Sequence, residues 1–429
     1  MDVRCLRRSG GITDGSQVTL LVRKGPLSLK WELAHRDYIK NERFVDYQVK
    51  GPFDFWQQAH LVQAEEGGAL LIDRAEYRLP LPPLGQIFGG WAVNADLERL
   101  FRYRHRLTRR DLDTQAKYGS GPLKIAVTGG TGLIGSQLIP FLLTQGHSVV
   151  QLVRGDHDKQ EAAQACWQKI VWDPSARSIE KPLPDDLDAL VHLGGHNVAA
   201  GLWTDEVKQA IARSRVESTN YLVQIFGRMK KPPPVFVCAS AMDFYGDTGE
   251  RAVDEEAPGG KGFLADVCRS WEEAAAGAKA ACPDMRIVNL RVSGVLTPRG
   301  GPLGKLLPLF MAGCGGPVGD GGQYFSWISL DDMLGCILHA IVTPSISGPL
   351  NAVAPNCPTY GEFAVTLGKV LGRPAFLPLP GPIVKVFLGE MGEALLLASR
   401  RLVPQKLQHS GYEFLDPELG EALKYMLGR

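Results

Sequence analysis

The sequence predicts a doubly wound α/β fold with a parallel sheet, preceded by an α+β segment of antiparallel strands and followed by a small helical segment. Three observations carry this prediction. Between Leu123 and Leu290, short continuously apolar runs alternate with helical patterns, as expected of strands buried on both faces. The first of those runs closes on a glycine-rich turn that opens a helix. The first 118 residues instead alternate polar and apolar positions in strand-length pieces ahead of one long helical pattern.

In the first segment, strands are predicted at Gln17–Arg23, Leu27–Tyr38, Glu42–Lys50, Phe55–Glu65 and Ala69–Leu79. These runs are rich in β-branched and aromatic residues and are separated by Gly or Pro. Pro83 then leads into a helix over Leu84–Arg106. A curved antiparallel sheet around one helix follows, enclosing an apolar cavity or a core. The cluster Gly119-Ser120-Gly121-Pro122 breaks the pattern and places a domain boundary, giving domains at 1–118 and from 119 onward.

In the middle segment, strands are predicted at Leu123–Thr128, Ser148–Val153, Asp188–Leu193, Val235–Ala239 and Arg286–Leu290. Helices are predicted at Gly132–Gln145, Asp205–Arg228 and Phe263–Ala281. A softer boundary near Thr343–Pro349 ends this domain at 345. Residues 346–429 read as a short strand followed by helices near Tyr360–Leu371, Ile383–Ser399 and Pro417–Leu427.

Composition excludes several classes. The 47 basic and 46 acidic residues give a net charge of +1, so nothing electrostatic favours nucleic acid or an anionic membrane. Met1–Gly15 is polar and lacks the apolar core of a signal peptide. No stretch approaches the ~18 apolar residues of a membrane span. The eight cysteines are scattered without a C-x-x-C pair, which reads as reduced thiols in a reducing compartment, and a cytoplasmic location is expected. The nine histidines show no H-E-x-x-H spacing, and no metal is expected. The departure from average is glycine, 49 in 429 residues against a usual ~7%.

The strongest motif is Val127-Thr128-Gly129-Gly130-Thr131-Gly132-Leu133-Ile134-Gly135, between the first strand and first helix of the middle segment. Gly129 permits a tight turn, Gly132 lets the backbone approach a pyrophosphate, and Gly135 lets the helix pack on the sheet. The helix N-terminus offers free N–H groups to the anion. Gly129, Thr131, Gly132, Leu133, Ile134 and Gly135 are therefore candidate dinucleotide-binding residues. A second close approach is expected at Leu193-Gly194-Gly195, where the strand Asp188–Leu193 ends. At the end of the second strand, where an NAD enzyme carries an acid for the ribose 2′-hydroxyl, this chain has Arg154, which suits a 2′-phosphate. NADP(H) is thus favoured over NAD(H). Asp173 either contacts the adenine or caps a turn.

At these residues the chain resembles the extended short-chain dehydrogenase/reductase superfamily, and more closely its atypical epimerase-like branch. Matching stretches include His192-Leu193-Gly194-Gly195, Ser214-Arg215-Val216-Glu217-Ser218-Thr219, Ala239-Ser240-Ala241 with Tyr245-Gly246-Asp247, Trp271-Glu272, and Phe325-Ser326-Trp327-Ile328. The resemblance runs from about Leu123 to the C-terminus. It implies a Rossmann-type domain with the branch's own helical C-terminal domain. The superfamily's catalytic unit is a Ser or Thr with Tyr-x-x-x-Lys, yet none of the eleven tyrosines here has Lys four residues later. Phe263 to Cys268 occupy the place before Trp271-Glu272 where that dyad belongs. Ser240 matches the superfamily's serine, and Tyr245 is the nearest candidate acid or a packing aromatic.

Nine glycines fall within Arg299–Gly322, a segment after the strand Arg286–Leu290 that should border the crevice at the carboxyl ends of the strands. Arg291, Gln323 and Trp327 are the candidate substrate contacts, and Asp332 is a further one unless it belongs to a helix N-terminus. In the first segment, Trp56 with His60, Asp73–Pro80 and Phe101–His105 resemble the START-like, polyketide cyclase/dehydrase-like helix-grip fold, here apparently without its first elements. That fold usually cradles an apolar ligand. A second histidine of the related pattern is replaced by Gln58. The function expected is an NADP(H)-binding oxidoreductase or epimerase-like protein without the usual Tyr-x-x-x-Lys dyad, acting on an unidentified small molecule, lipophilic or not. The alternatives are a non-catalytic NADP(H)-binding regulator, for instance of cell division, and a sensor of a lipophilic ligand.

Overall fold

The computed structural model describes residues 2–24, 27–80, 84–119, 121–155 and 166–429. Pro83 and Ser120, used above as punctuation, lie outside the described residues. The chain forms two compact units that divide between His105 and Arg106.

In the first unit, β1 (Asp2–Ser9), β2 (Gln17–Lys24), β3 (Leu27–Ile39), β4 (Arg43–Lys50), β5 (Phe55–Glu65) and β6 (Gly68–Arg78) form an antiparallel sheet in sequence order. The sequence pattern does not reveal β1. It is an edge strand carrying Arg4, Arg7 and Arg8, and charge on an edge discourages further pairing while masking the strand period. Helix α1 (Leu84–Tyr118) follows. It runs well past the predicted end at Arg106 because no Gly or Pro interrupts residues 92–118.

The last turns of α1 belong to the second unit. Arg110 grips Asp416 through Nη1 and Nη2, each at 3.0 Å, and Tyr118 stacks on Tyr412 with ring centroids 5.7 Å apart. The division therefore falls inside the helix rather than at the predicted boundary after residue 118.

The second unit alternates strands and helices. Its elements are β7 (Lys124–Thr128), α2 (Gly135–Thr144), β8 (Ser148–Val153), β9 (Trp167–Asp173), β10 (Ser178–Ile179), β11 (Ala189–His192), α3 (Asp205–Phe226), β12 (Val235–Ala241), β13 (Ala252–Val253), α4 (Phe263–Ala276), α5 (Ala278–Ala281) and β14 (Arg286–Val292). Then follow β15 (Gly294–Leu296), α6 (Gly301–Met311), β16 (Trp327–Ser329), α7 (Leu330–Val342), β17 (Gly348–Ala352), α8 (Tyr360–Leu371), α9 (Gly381–Gly392), β18 (Arg401–Leu402), α10 (Gln405–His409) and α11 (Leu419–Leu427).

The main sheet has the order β10-β9-β8-β7-β11-β12-β14-β17. All neighbours are parallel except the β9–β10 hairpin. From β9 the order reads third, second, first, fourth, fifth, sixth, seventh, which is the doubly wound topology with its switch point between β7 and β11. Apolar clusters fill both faces, one against α2 and α7, the other against α3 and α4. The polar residues interleaved in Trp-Gln-Lys-Ile-Val-Trp-Asp hid β9 from the pattern of buried runs. Strand β17 lies beyond the predicted boundary at 345, yet it pairs with β14 and closes the sheet. The predicted helix at Ile383–Ser399 is α9 followed by a π-helical turn at Glu393–Leu397.

Candidate functional site

The phosphate turn lies at the carboxyl end of β7, beside the switch point. Gly129 has a φ of +68°, and a Cβ there would stand 2.7 Å from the Leu193 carbonyl carbon. A Cβ on Gly135 would stand 2.3 Å from the Gly129 carbonyl oxygen, so only glycine lets α2 approach the turn this closely. Gly132 is exposed, and so is Thr131, while Leu133 and Ile134 are half-buried. Ile134 at the start of α2 supplies no side-chain cap, which leaves N–H groups for an acceptor from outside. Gly194 and Gly195 lie next to this turn at the end of β11, where a Cβ on Gly195 would meet the Arg215 guanidinium at 3.1 Å. Arg154 is exposed at the end of β8, the strand on the other side of β7. This cradle of glycines fits a dinucleotide.

Two residues around the turn were not singled out from the sequence. His192 is buried between Thr128 Oγ1, at 2.6 Å, and Ser218 Oγ, at 3.0 Å. Burial, reinforced by the charges of Arg154 and Arg215, pushes it down to about 3, so it is a neutral strut. Arg215 donates to the carbonyls of His196 and Ile211 and lies over the Trp271 ring. Asp173 accepts from the backbone N–H groups of Ser175 and Ala176, which is the turn-capping arrangement.

The glycine-rich segment after β15 divides. A Cβ on Gly300 would meet Leu133 Cδ1 at 2.9 Å, so this end packs directly on the phosphate turn. Gly316 instead abuts the Leu377 backbone and Gly321 abuts Gly361. Those glycines serve close packing on the C-terminal segment.

The candidate catalytic and substrate residues resolve into buried scaffolding. Ser240 Oγ donates to Glu272 Oε1 at 2.6 Å. Arg291 donates to both oxygens of the same carboxylate and, through Nη1, to the Tyr245 hydroxyl at 2.7 Å. Tyr245 in turn donates to Asn351 Oδ1. Ser240, Tyr245 and Arg291 are thus brought together, but in a network that ties β12, α4, β14 and β17. Burial raises the Tyr245 phenol to about 12 despite the Arg291 charge beside it. A phenol so placed is a poor acid–base group near neutral pH.

Gln323 donates to the carbonyls of Val318 and Leu396, and Trp327 is fully buried with its Nε1 on the Asn356 carbonyl. Asp332 accepts from the Tyr412 hydroxyl and the N–H groups of Leu415 and Asp416. All three are buried. In the stretch Phe263–Cys268, where the resemblance puts the superfamily dyad, Leu264 and Cys268 are buried on α4. Burial pushes the Cys268 thiol up to about 12.

Beyond the end of β12 opens a cleft of about 450 Å³ between the turn at Asp243–Asp247, the N-terminus of α4 and the segment Lys385–Arg400. Leu264 is in its wall. Its position at the carboxyl ends of the strands is where open α/β sheets take their ligands.

In the first unit, the inner sheet face differs from the apolar lining expected of it. Trp31, Phe53, Trp56 and Tyr77 cluster at one end. At the other, a polar row crosses the sheet. His35 lies 2.6 Å from Asp46, Asp46 lies 3.3 Å from His60, His60 lies 2.6 Å from Asp73, and Asp73 lies 3.1 Å from His105 on α1. Gln58 donates to Asp73. His60 therefore has both ring nitrogens engaged by carboxylates.

Comparison with known proteins places this geometry. The model of the NAD dependent epimerase/dehydratase family matches residues 125–351. The chain belongs to that family. A second family model, described only as a domain of unknown function, matches residues 379–426. An epimerase family protein of Mycobacterium bovis is 36% identical over 305 residues, covering 71% of this chain and 98% of the relative. Among solved structures, a nucleoside-diphosphate sugar epimerase from Corynebacterium glutamicum has a TM-score of 0.77 at 31% identity, covering 99% of this chain and 83% of that one. The human epimerase family protein SDR39U1, solved with NADPH, has a TM-score of 0.64 at 34% identity, covering 71% of this chain and 99% of that one.

Proposed function

We propose that this chain binds NADP(H) at the Gly129–Gly135 turn and works as an NADP(H)-dependent oxidoreductase or epimerase-like enzyme on a small molecule held in the cleft beyond β12. The observation that carries the reading is the glycine cradle, with room for no Cβ at Gly129 or Gly135, beside an uncapped helix N-terminus. The exposed Arg154 supports a 2′-phosphate, and the NADPH in the human relative's structure supports the same choice. A bound nicotinamide supplies hydride transfer. The protein's share is to hold the dinucleotide along the ends of β7, β8 and β11 and to keep the cleft shaped. Ser240 and Tyr245 act through the buried network that positions β12 and β14, and not by exchanging protons with a substrate.

A second reading, a non-catalytic NADP(H)-binding regulator, is favoured by the stretch Phe263–Cys268, which holds neither Tyr nor Lys where the superfamily has its dyad. One measurement tests the cofactor that both readings share, and a second separates them. NADPH fluorescence titration of the full chain should show clearly tighter binding than NADH, and equal affinities would sink the NADP(H) assignment. Stereospecifically deuterated NADPH is then incubated with the protein and a metabolite extract. Loss of label from one face supports the enzyme, and complete retention with every extract gives the regulator.

A further inference from the structure

Both walls of the crevice at the switch point lack a formal positive charge. The phosphate turn and α2 hold neither Lys nor Arg, and neither does the loop 193–199 that leaves β11. A dinucleotide brings a doubly charged pyrophosphate to this place. The free N–H groups and dipole of α2 answer with the equivalent of about half a charge. Arg215, the nearest arginine to Gly195, already serves the carbonyls of His196 and Ile211.

The segment after β15 runs between these walls and carries the missing charge. At its start, Gly300 packs on Leu133 of the turn, and Arg299 Nη1 donates to Gln137 Oε1, in the first turn of α2, at 2.8 Å. Farther on, Lys305 Nζ donates to the Ala199 carbonyl, in the loop after β11, at 3.0 Å. The chain between them is fixed. Gly301 has a φ of +61°, and a Cβ there would stand 2.7 Å from the Val295 carbonyl oxygen. Leu303 is fully buried and pins the start of α6. One cation is thereby presented to each wall. Both are exposed, both rest on neutral oxygens, and neither forms an ion pair among the described residues.

We propose that residues 297–305 form a strap across the dinucleotide crevice, and that Arg299 and Lys305 take the pyrophosphate of the cofactor. The guanidinium of Arg299 is a planar fork that matches phosphate oxygens, and the Lys305 ammonium is a mobile point charge. For either cation an ionised phosphate oxygen is a stronger acceptor than the neutral amide or carbonyl oxygen it now holds. The inference rests on the reading of the Gly129–Gly135 turn as a dinucleotide site, and it adds a division of labour. Arg154 reads the 2′-phosphate that sets NADP(H) apart, whereas Arg299 and Lys305 hold the pyrophosphate that NADP(H) and NAD(H) share.

The test uses the full chain and probes the two phosphate groups separately. NADPH and NADH are titrated by fluorescence, and ADP and 2′-AMP by competition against NADPH. ADP has the diphosphate without a 2′-phosphate, and 2′-AMP has the 2′-phosphate without a diphosphate. Arg299→Ala and Lys305→Ala should each weaken NADPH, NADH and ADP by about tenfold or more and leave 2′-AMP nearly unchanged. Arg154→Ala should do the reverse, weakening NADPH and 2′-AMP and sparing ADP. Arg299→Lys should recover part of the loss, because the charge remains while the fork is gone. Both side chains are exposed and each makes one hydrogen bond to a neutral oxygen, so the Tm of each variant should stay close to that of the wild type. Unchanged NADPH and ADP affinities in either alanine variant overturn the assignment of that residue. An equal loss for 2′-AMP overturns the pyrophosphate contact, since that ligand has none. A wild-type chain that binds NADPH while both variants bind it as tightly overturns the strap alone. A wild-type chain that binds neither NADPH nor NADH overturns the dinucleotide reading beneath it.

Discussion

Arg291 holds Glu272 in a bidentate pair, Nε to Oε1 and Nη2 to Oε2, both at 2.9 Å, with only 4% and 12% of the two side chains exposed. Breaking such a pair from one side strands the other charge. Arg291→Leu should therefore cost about 3–5 kcal/mol of stability, read by urea unfolding. Ser240→Ala removes one donor from a carboxylate that Arg291 still serves, and should cost about 1 kcal/mol. If Ser240→Ala left stability intact but abolished NADPH binding, Ser240 would belong to the crevice after all.

The phosphate turn has no room for a methyl group. In Gly135→Ala the new Cβ would meet the Gly129 carbonyl at 2.3 Å, and its nearest neighbours are backbone atoms that cannot swing away. NADPH binding should be lost while far-UV circular dichroism stays native. Arg154→Ala should weaken NADPH binding by roughly 10- to 150-fold, the loss of one charge-assisted contact of about 1.5–3 kcal/mol. NADH binding should change little. Comparable losses for both nucleotides would remove Arg154 from the 2′-phosphate.

The parts of this molecule legible in its sequence are those where a local rule and the tertiary role agree. Ser148–Val153 shows its strand because both faces are buried, and Gly129–Gly135 shows its turn because backbone geometry itself demands glycine. The missed strand Trp167–Asp173 is only partly buried and carries Gln168 and Lys169. The partners of the candidate substrate residues were illegible for a different reason. Arg291, Gln323 and Trp327 are polar or aromatic residues near a crevice in sequence order, but their partners, Glu272, Leu396 and Asn356, come from elsewhere in the chain. No spacing records such long-range pairings. Arg400 and Asp243 lie 157 positions apart and met no motif.

Thiol reactivity should follow burial. Cys5 and Cys314 are exposed, whereas Cys238, Cys268 and Cys336 are buried. Burial holds the Cys268 thiol near 12, so almost none is thiolate at pH 8. Brief iodoacetamide treatment of the native chain, followed by peptide mass spectrometry, should label Cys5 and Cys314 and spare the other three. Rapid labelling of Cys268 would show an accessible thiolate in α4 and contradict its burial.

The polar row of the first unit makes a pH prediction. Burial works against a charged His60, but hydrogen bonds to Asp46 and Asp73, with their charges, outweigh it and raise the imidazole above 6.5. Burial likewise works against the Asp73 carboxylate. It is overcome by the His60 hydrogen bond, the Arg104 charge and the His105 and Gln58 hydrogen bonds, which hold Asp73 below its usual 3.8. A histidine raised in the folded state stabilises fully below its unfolded value of 6.5, and that contribution is lost as pH rises through the folded value. The Asp73 contribution is present above 3.8 and fades only in stronger acid. The sheet should therefore loosen as pH rises above 6.5, with amide exchange in β5 and β6, corrected for intrinsic rates, accelerating in the wild type. His60→Gln should flatten that dependence, because glutamine has no proton to lose. A direct check is NMR titration of the His60 ring, where a midpoint at or below 6.5 would contradict a histidine clamped between two carboxylates.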